Sequence, residues 1–283
     1  MHPDSFSADL TDLIRAALRE DRADRDLTAM ATIPEQLSGR ATISARAKGV
    51  LSGIDIAGTV FSLVDDAIKQ DWQAGNGQQI EPGDQVGHFC GRIRSLLTAE
   101  RTVLNFLQHL SGIASATRLF VVSISHTDCS IADTRKTTPG LRKWEKLAVV
   151  HGGGINHRMD LAQGMLIKEN HITAAGSVTR AIHLCRQAGH DVWLEVECET
   201  MEEVDEAVAA GPDIILLDNM RPEQVRRARL RVPNTIMLEA SGGITIDNAA
   251  DYAGTGVDRL AIGAITHSAP ALDLSMHIET GQP

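Results

Sequence analysis

The sequence predicts an α/β protein: an incomplete (β/α) barrel of about seven strands at residues 111–270, preceded by an N-terminal α+β domain at 1–110 that the tail 271–283 joins. Three observations carry this. Short apolar runs recur through the second half, each closed by a polar residue or glycine and followed by a helical pattern. From Glu197 onward the closing residues Glu197, Asp218, Glu239 and Gly263 lie 21, 21 and 24 residues apart, the length of one strand–helix unit of a parallel sheet. No G-x-G-x-x-G opens any unit, which favours a barrel over an open dinucleotide-binding sheet.

Taken in order, Leu10, Leu13, Ile14, Ala17 and Leu18 recur at helical spacing. Ala41-Thr42-Ile43-Ser44-Ala45 and Val50-Leu51-Ser52 alternate as strands. The turn formers of 75–84 suggest short antiparallel strands. A helix is expected over 98–110, with Thr98 as N-cap, Glu100 in its first turn and Val103, Leu107 and Leu110 along one face. The barrel strands are then Ile131-Ala132 ending at Asp133, Met165-Leu166-Ile167 ending at Lys168, and Val192-Trp193-Leu194-Glu195-Val196 ending at Glu197. Ile214-Ile215-Leu216-Leu217 ends at Asp218, Ile236-Met237-Leu238 at Glu239 and Leu260-Ala261-Ile262 at Gly263. The alternation of 272–278 predicts a strand that returns to the N-terminal region.

Composition narrows the function. Hydrophobic content of 43% and charged content of 23% are ordinary for a globular protein, and aromatics at 3% leave the core to Ala, Val, Leu and Ile. The longest apolar runs are far too short for a bilayer, so no membrane association is expected. Met1-His2-Pro3-Asp4-Ser5 has neither a basic patch nor an apolar stretch, and Cys90, Cys129, Cys185 and Cys198 form no C-x-x-C. The expectation is a cytoplasmic protein with reduced thiols. A net charge of −10 argues against nucleic acid. Within that anionic chain, residues 133–171 hold 7 Lys/Arg against 4 Asp/Glu and are net +3, which implies an anionic small-molecule ligand.

Barrels place chemistry at the C-terminal ends of their strands. Those ends carry Arg135, Lys136, Lys168, Glu197 and Asp218. One such charge would be an ordinary surface ion pair; a set at equivalent positions is not. Ser241-Gly242-Gly243 and Gly263-Ala264 follow the last two strands, where glycines let backbone N–H groups approach a phosphate. Gly152-Gly153-Gly154 reads equally as a hinge. Glu195 and Glu197 share a strand face, and with Asp218 make a hard-oxygen set suited to Mg²⁺; Glu195 could equally pair with a lysine lower in the barrel. The eleven histidines show no H-x-x-x-H or H-E-x-x-H, so no transition-metal site is expected.

The segments Asp133-Thr134-Arg135-Lys136-Thr137-Thr138-Pro139-Gly140-Leu141-Arg142, Gly152-Gly153-Gly154-Ile155-Asn156-His157-Arg158 and Leu166-Ile167-Lys168-Glu169-Asn170-His171-Ile172 resemble quinolinate phosphoribosyltransferase. So do Glu100-Arg101-Thr102-Val103-Leu104-Asn105-Phe106-Leu107 and Leu217-Asp218-Asn219. The resemblance runs from Asp26-Leu27-Thr28 to the tail. It departs at Asp21-Arg22-Ala23-Asp24-Arg25, where the family has a glycine-containing turn.

That resemblance implies transfer of phosphoribose from phosphoribosyl pyrophosphate to the ring nitrogen of quinolinate, releasing nicotinate mononucleotide, pyrophosphate and CO₂ on the route to NAD. It implies that Arg135, Lys136, His157, Arg158 and Lys168 line the quinolinate pocket, that Thr134 binds substrate, and that Glu197 and Asp218 stand near the ribose hydroxyls and Mg²⁺, binding it partly through substrate or water. Ser241, Gly242, Gly243, Ile262, Gly263 and Ala264 would hold the 5-phosphate. Lys136, Lys168, Glu197 and Asp218 would be catalytic, and Arg101 would cross a homodimer interface into the neighbouring site. Three other readings compete: a paralogue encoded with molybdate transporters, which lacks the Lys-Glu-Asn-His segment; a nicotinate phosphoribosyltransferase; and a non-catalytic phospholigand sensor, which would have lost Glu197 and Asp218.

Overall fold

The structure, a computed structural model, describes residues 3–280; Met1 and His2 of the opening segment and 281–283 of the tail lie outside the described residues. The chain divides into two compact units. One comprises Met1–Ala116, Val150–Gly152 and Ala269–Pro283, the other Thr117–Val149 and Gly153–Ser268.

The first unit begins with helices α1 (Pro3–Glu20) and α2 (Leu27–Thr32). Asp26 caps α2, its Oδ1 accepting the Ala29 N–H at 2.9 Å, which gives the Asp-Leu-Thr segment a structural reason. Just before it, Arg22 adopts φ 54°, the left-handed conformation a glycine would take at no steric cost. The departure from the family pattern therefore keeps the turn and adds backbone strain. Then follow β1 (Ser38–Ala45), β2 (Gly49–Val50), α3 (Ile54–Val64), β3 (Lys69–Trp72), β4 (Gln79–Ile80), β5 (Gln85–Arg92) and the long helix α4 (Ile93–Ser123). β1 alternates as predicted, with Ala41, Ile43 and Ala45 buried. The tail strand Leu274–Thr280 pairs antiparallel with β1, giving a sheet ordered tail–β1–β5–β3. Phe89 of β5 stacks on Phe61 of α3 at 4.4 Å and meets Trp72 edge-on at 4.8 Å, so three of the few aromatics meet in this core.

Thr98 is not an N-cap. The apolar stripe of α4 starts a turn earlier, with Ile93 and Leu96 buried in register with Val103, Leu107 and Leu110, so the helix leaves β5 without a break.

The second unit contains parallel strands β6 (Ser130–Ala132), β7 (Met165–Ile167), β8 (Leu194–Cys198), β9 (Ile214–Asp218), β10 (Met237–Ser241) and β11 (Arg259–Ala261). Helices α5 (Arg142–Gly152), α6 (Glu169–Ala175), α7 (Val178–Gln187), α8 (Met201–Ala210), α9 (Pro222–Arg229), α10 (Ala249–Ala253) and α11 (Ala264–His267) alternate with them. The strand order is β6-β11-β10-β9-β8-β7. The first strand thus pairs with the last, as in a barrel, and the ring is open between β6 and β7. A single parallel bridge from Ile155 to Ala132 is the rudiment of a seventh strand. Gly153 and Gly154 make the turn into it: Gly154 N–H donates to Val149 O at 3.0 Å, and a Cβ on Gly154 would come within 2.8 Å of Val149 and 2.9 Å of Thr117.

Glu239 does not end its strand. β10 continues to Ser241, and Glu239 lies mid-strand beside Arg259 of β11, fully buried in the barrel.

Candidate active site

The mouth of the second unit is a cavity of about 360 Å³ lined by Thr134, Arg135, Lys136, His157, Arg158, Leu166, Lys168, Glu197, Leu216, Asp218, Glu239, Ser241 and Ala261. The sequence-predicted cations and carboxylates of 134–136, 157–158, 168, 197 and 218 therefore share one chamber. Strand register explains this. Glu197, Asp218, Ser241 and Ala261 sit near the ends of neighbouring parallel strands, paired Ser241↔Asp218 and Ser241↔Ala261.

Each cation is held by its own loop. Lys136 N–H donates to Thr134 Oγ1 at 3.0 Å, and Thr266 Oγ1 donates to the Lys136 carbonyl at 2.8 Å. Lys168 N–H donates to His171 Nδ1 at 2.9 Å, so the final residue of Lys-Glu-Asn-His fixes the first at the start of α6. Lys168 Nζ pairs with Glu197 Oε2. Partial burial, and after it the neighbouring Glu197 charge, push the Asp218 carboxyl above its ordinary value. Asn219 Nδ2 donates to Asp218 Oδ2 at 2.7 Å. Gly242 adopts φ +88°, and a Cβ there would stand 2.2 Å from Asn219 Oδ1, so only glycine lets the 241–243 turn close over Asn219.

The loop carrying His157 and Arg158 is anchored from below by residues that sequence reasoning missed. Lys146 of α5 is fully buried and pairs with buried Asp133. Its Nζ also donates to the His157 carbonyl at 2.9 Å, while Asp133 Oδ1 accepts the His157 N–H at 2.9 Å. Asn156 Nδ2 donates to Asp133 Oδ2 at 2.5 Å. Lys146 thus belongs to the clamp and not to the rim, although it counts toward the positive window. Arg158 Nη1 donates to Gly164 O at 2.9 Å. Gly164 lies so close under Trp193 that a Cβ would come within 2.4 Å of the indole. Trp193 in turn meets His157 edge-on at 5.4 Å. No sequence pattern marks these contacts, since Gly164 and Trp193 are brought together only by β7 and β8 lying side by side.

Beneath the rim the barrel is not filled with aliphatic side chains, as such interiors usually are. Glu195, Glu239, Arg259 and His157 form a buried polar layer. Among the described residues Glu195 pairs with no lysine: its Oε2 faces His157 Nε2 at 2.9 Å. Glu239 Oε2 accepts from Arg259 Nε, and its Oε1 stands 3.7 Å from His157 Nε2. Burial pushes Glu195 and Glu239 up to about 7 and His157 down to about 4. The ligand atoms of His157, Glu195 and Glu239 lie within 4.8 Å of one another. Arg259 supplies positive charge there and His157 Nε2 is engaged by Glu195, so these groups form a buried hydrogen-bond network.

Of the remaining sequence-predicted residues, Arg101 is exposed on α4 of the first unit. Ile262 is buried and its N–H donates to Ala132 O at 2.9 Å, so that amide serves the sheet and not an anion. Gly263 precedes α11, and the Lys136 stem passes over it: a Cβ there would lie 2.9 Å from Lys136 Cδ. Glu197 and Asp218 offer hard carboxylate oxygens at the cavity mouth, a donor set that fits Mg²⁺ held largely through substrate oxygens.

Comparison with known proteins follows the same lines. Residues 26–111 match the N-terminal domain, and residues 113–277 the C-terminal domain, of quinolinate phosphoribosyl transferase. The chain is 43% identical over 270 residues to the "Probable nicotinate-nucleotide pyrophosphorylase [carboxylating]" of Bacillus subtilis (strain 168), covering 95% of this chain and 93% of that one. It is 42% identical over 274 residues to the nicotinate-nucleotide pyrophosphorylase [carboxylating] of Mycobacterium leprae (strain TN), covering 94% and 96%. The solved structure of the nicotinate-nucleotide pyrophosphorylase from Francisella tularensis superposes with a TM-score of 0.93 at 38% identity, over 96% of each chain. With both domains matched and relatives this similar along nearly the whole length, the chain belongs to the quinolinate phosphoribosyltransferase family.

Proposed function

We propose that this chain transfers phosphoribose from phosphoribosyl pyrophosphate to quinolinate with decarboxylation, giving nicotinate mononucleotide, pyrophosphate and CO₂ in NAD biosynthesis. One observation carries the proposal beyond family membership: Arg135, Arg158 and Lys168 share a single chamber with Glu197 and Asp218. Quinolinate brings two carboxylates, and its co-substrate a phosphate and a pyrophosphate. At an effective dielectric near 20, each opposite-charge contact at about 4 Å is worth ~4 kcal/mol before desolvation. Only a cluster of cations holds reactants that repel one another so strongly.

In this reading Arg135 and Arg158 grip the quinolinate carboxylates, which guanidinium geometry allows bidentately, and Lys168 and Lys136 complete the positive wall. Thr134 fixes the turn. His157 forms part of the wall with both ring nitrogens engaged by protein. Ser241, Gly242 and Gly243, with Gly263 and Ala264, cradle the 5-phosphate. Glu197 and Asp218 face the ribose hydroxyls and would hold Mg²⁺, which when bound supplies charge neutralisation for the departing pyrophosphate. The bond from the ribose anomeric carbon to pyrophosphate breaks while the two carboxylates stabilise the oxocarbenium-like ribose. The quinolinate nitrogen forms the new bond and becomes positive. The adjacent carboxylate leaves as CO₂, its electron pair held on the ring carbon beside that charge until a proton arrives. No covalent enzyme intermediate is required.

The enzyme is further proposed to work in the cytoplasm as a homodimer in which Arg101 of one protomer reaches the site of its partner. Among the described residues no helix is long and apolar enough to cross a membrane. The test is to incubate the protein with quinolinate, phosphoribosyl pyrophosphate and Mg²⁺ and follow both products. Equimolar CO₂ and nicotinate mononucleotide are expected; release of neither would contradict the proposal.

A further inference from the structure

The layer of Glu195, Glu239, Arg259 and His157 lies below the reacting groups, and burying such charges costs more than burying aliphatic side chains of similar volume. What it does can be followed bond by bond. Arg158 N–H donates to His157 Nδ1 at 2.7 Å, so that nitrogen must carry a lone pair. The other nitrogen, Nε2, lies 2.9 Å from Glu195 Oε2, an acceptor, so it carries the proton. The imidazole is therefore neutral and in one tautomer, and its plane is fixed at both ends. The backbone of Arg158 is fixed with it, and the guanidinium is tied a second time by Gly164 O at 2.9 Å.

We propose that Glu195 is a positioning residue for quinolinate: by accepting from His157 Nε2–H it holds the imidazole as the Nδ1 acceptor, and through the Arg158 N–H it sets where the Arg158 guanidinium stands in the cavity. Glu195 touches no substrate in this scheme. Glu239 and Arg259 hold the far side of the layer, their pair leaving Glu239 Oε1 at 3.7 Å from Nε2, beyond a hydrogen bond. The inference rests on the reading that this cavity takes quinolinate, but the tautomer does not depend on that reading.

The experiment compares Glu195→Leu, which removes the acceptor, with Glu195→Gln, whose amide oxygen still accepts. Each is checked for folding by thermal melting. Losing this buried hydrogen bond should raise the quinolinate KM by on the order of tenfold in Glu195→Leu, with the phosphoribosyl pyrophosphate KM within about twofold, and Glu195→Gln should restore most of the loss. Nitrogen-15 NMR of the wild-type protein without substrate should show His157 as a single neutral tautomer with the proton on Nε2. An unchanged quinolinate KM in Glu195→Leu overturns the proposal, and so does a Glu195→Gln variant as impaired as Glu195→Leu. Should Glu195→Leu not fold, a wild-type spectrum with the proton on Nδ1, or on both nitrogens, is enough to overturn it. If the wild-type protein turns over no quinolinate while the tautomer is as stated, the functional reading fails and the hydrogen-bond assignment stands.

Discussion

Lys168 and Lys146 illustrate how differently two lysines of one charge cluster act. Lys168 is half exposed at the rim and pairs with Glu197, so its loss leaves packing intact. Lys168→Ala should lower kcat by roughly 100-fold or more, measured in the product-release assay, with an unchanged melting temperature. Near-normal turnover would refute its catalytic assignment. Lys146 is fully buried with Asp133 beneath the His157 loop. Removing one partner strands a buried charge, so Lys146→Met should destabilise the protein by about 3–5 kcal/mol, read from urea unfolding midpoints. A change below about 1 kcal/mol would show that the pair does not hold the loop.

Among elements, the junction of α3, β5 and α4 is tied by Asp65, which is buried and accepts from Ser95 Oγ at 2.6 Å and from Arg92 Nε and Nη2 at 2.9 and 2.8 Å. The Ser95 hydrogen bond, opposed by burial and aided by Arg92, lowers its pKa below the ordinary carboxylate value. A lowered folded pKa stabilises the native state above the unfolded value, near 4, and that contribution disappears as pH falls through the folded one. Asp65→Asn should therefore cost about 1–3 kcal/mol at pH 7, and the gap to wild type should narrow at pH 3 in urea titrations. A gap that widens in acid would reverse this assignment. The elements also mark where sequence reading succeeds. Strands β6, β7, β9 and β11 were legible because each is an apolar run stopped by a polar residue or glycine. The start of α4 was not, because Ile93 and Leu96 follow β5 with no cap or turn residue between. Glu239 was misread for a related reason. A charge inside a strand looks like the strand's end until its partner, Arg259 on the neighbouring strand, is known. The rim residues were legible as motifs, whereas Lys146, Gly164 and Trp193 act through contacts between elements far apart in sequence.

At the scale of the whole molecule, a chain of net charge −10 sets Arg135, Lys136, Arg158 and Lys168 together at one barrel mouth. Such a field steers small anions inward. The proposed homodimer adds Arg101 from the partner, which gives assembly a catalytic consequence. Mixing Arg101→Ala with Lys168→Ala, each nearly inactive alone, should regain roughly a quarter of wild-type activity, since half the random dimers are mixed and each mixed dimer keeps one intact site. Absence of any recovery after verified subunit exchange would exclude a shared site.

The positive chamber itself is tested most directly by competing quinolinate against nicotinate, which lacks one carboxylate, at saturating phosphoribosyl pyrophosphate. Arg135, Arg158 and Lys168 acting together on a dicarboxylate require quinolinate to be favoured in kcat/KM by about 100-fold or more, because a second charge-assisted contact is worth about 3 kcal/mol. Equal use of both acids would contradict the assignment of these cations to the second carboxylate.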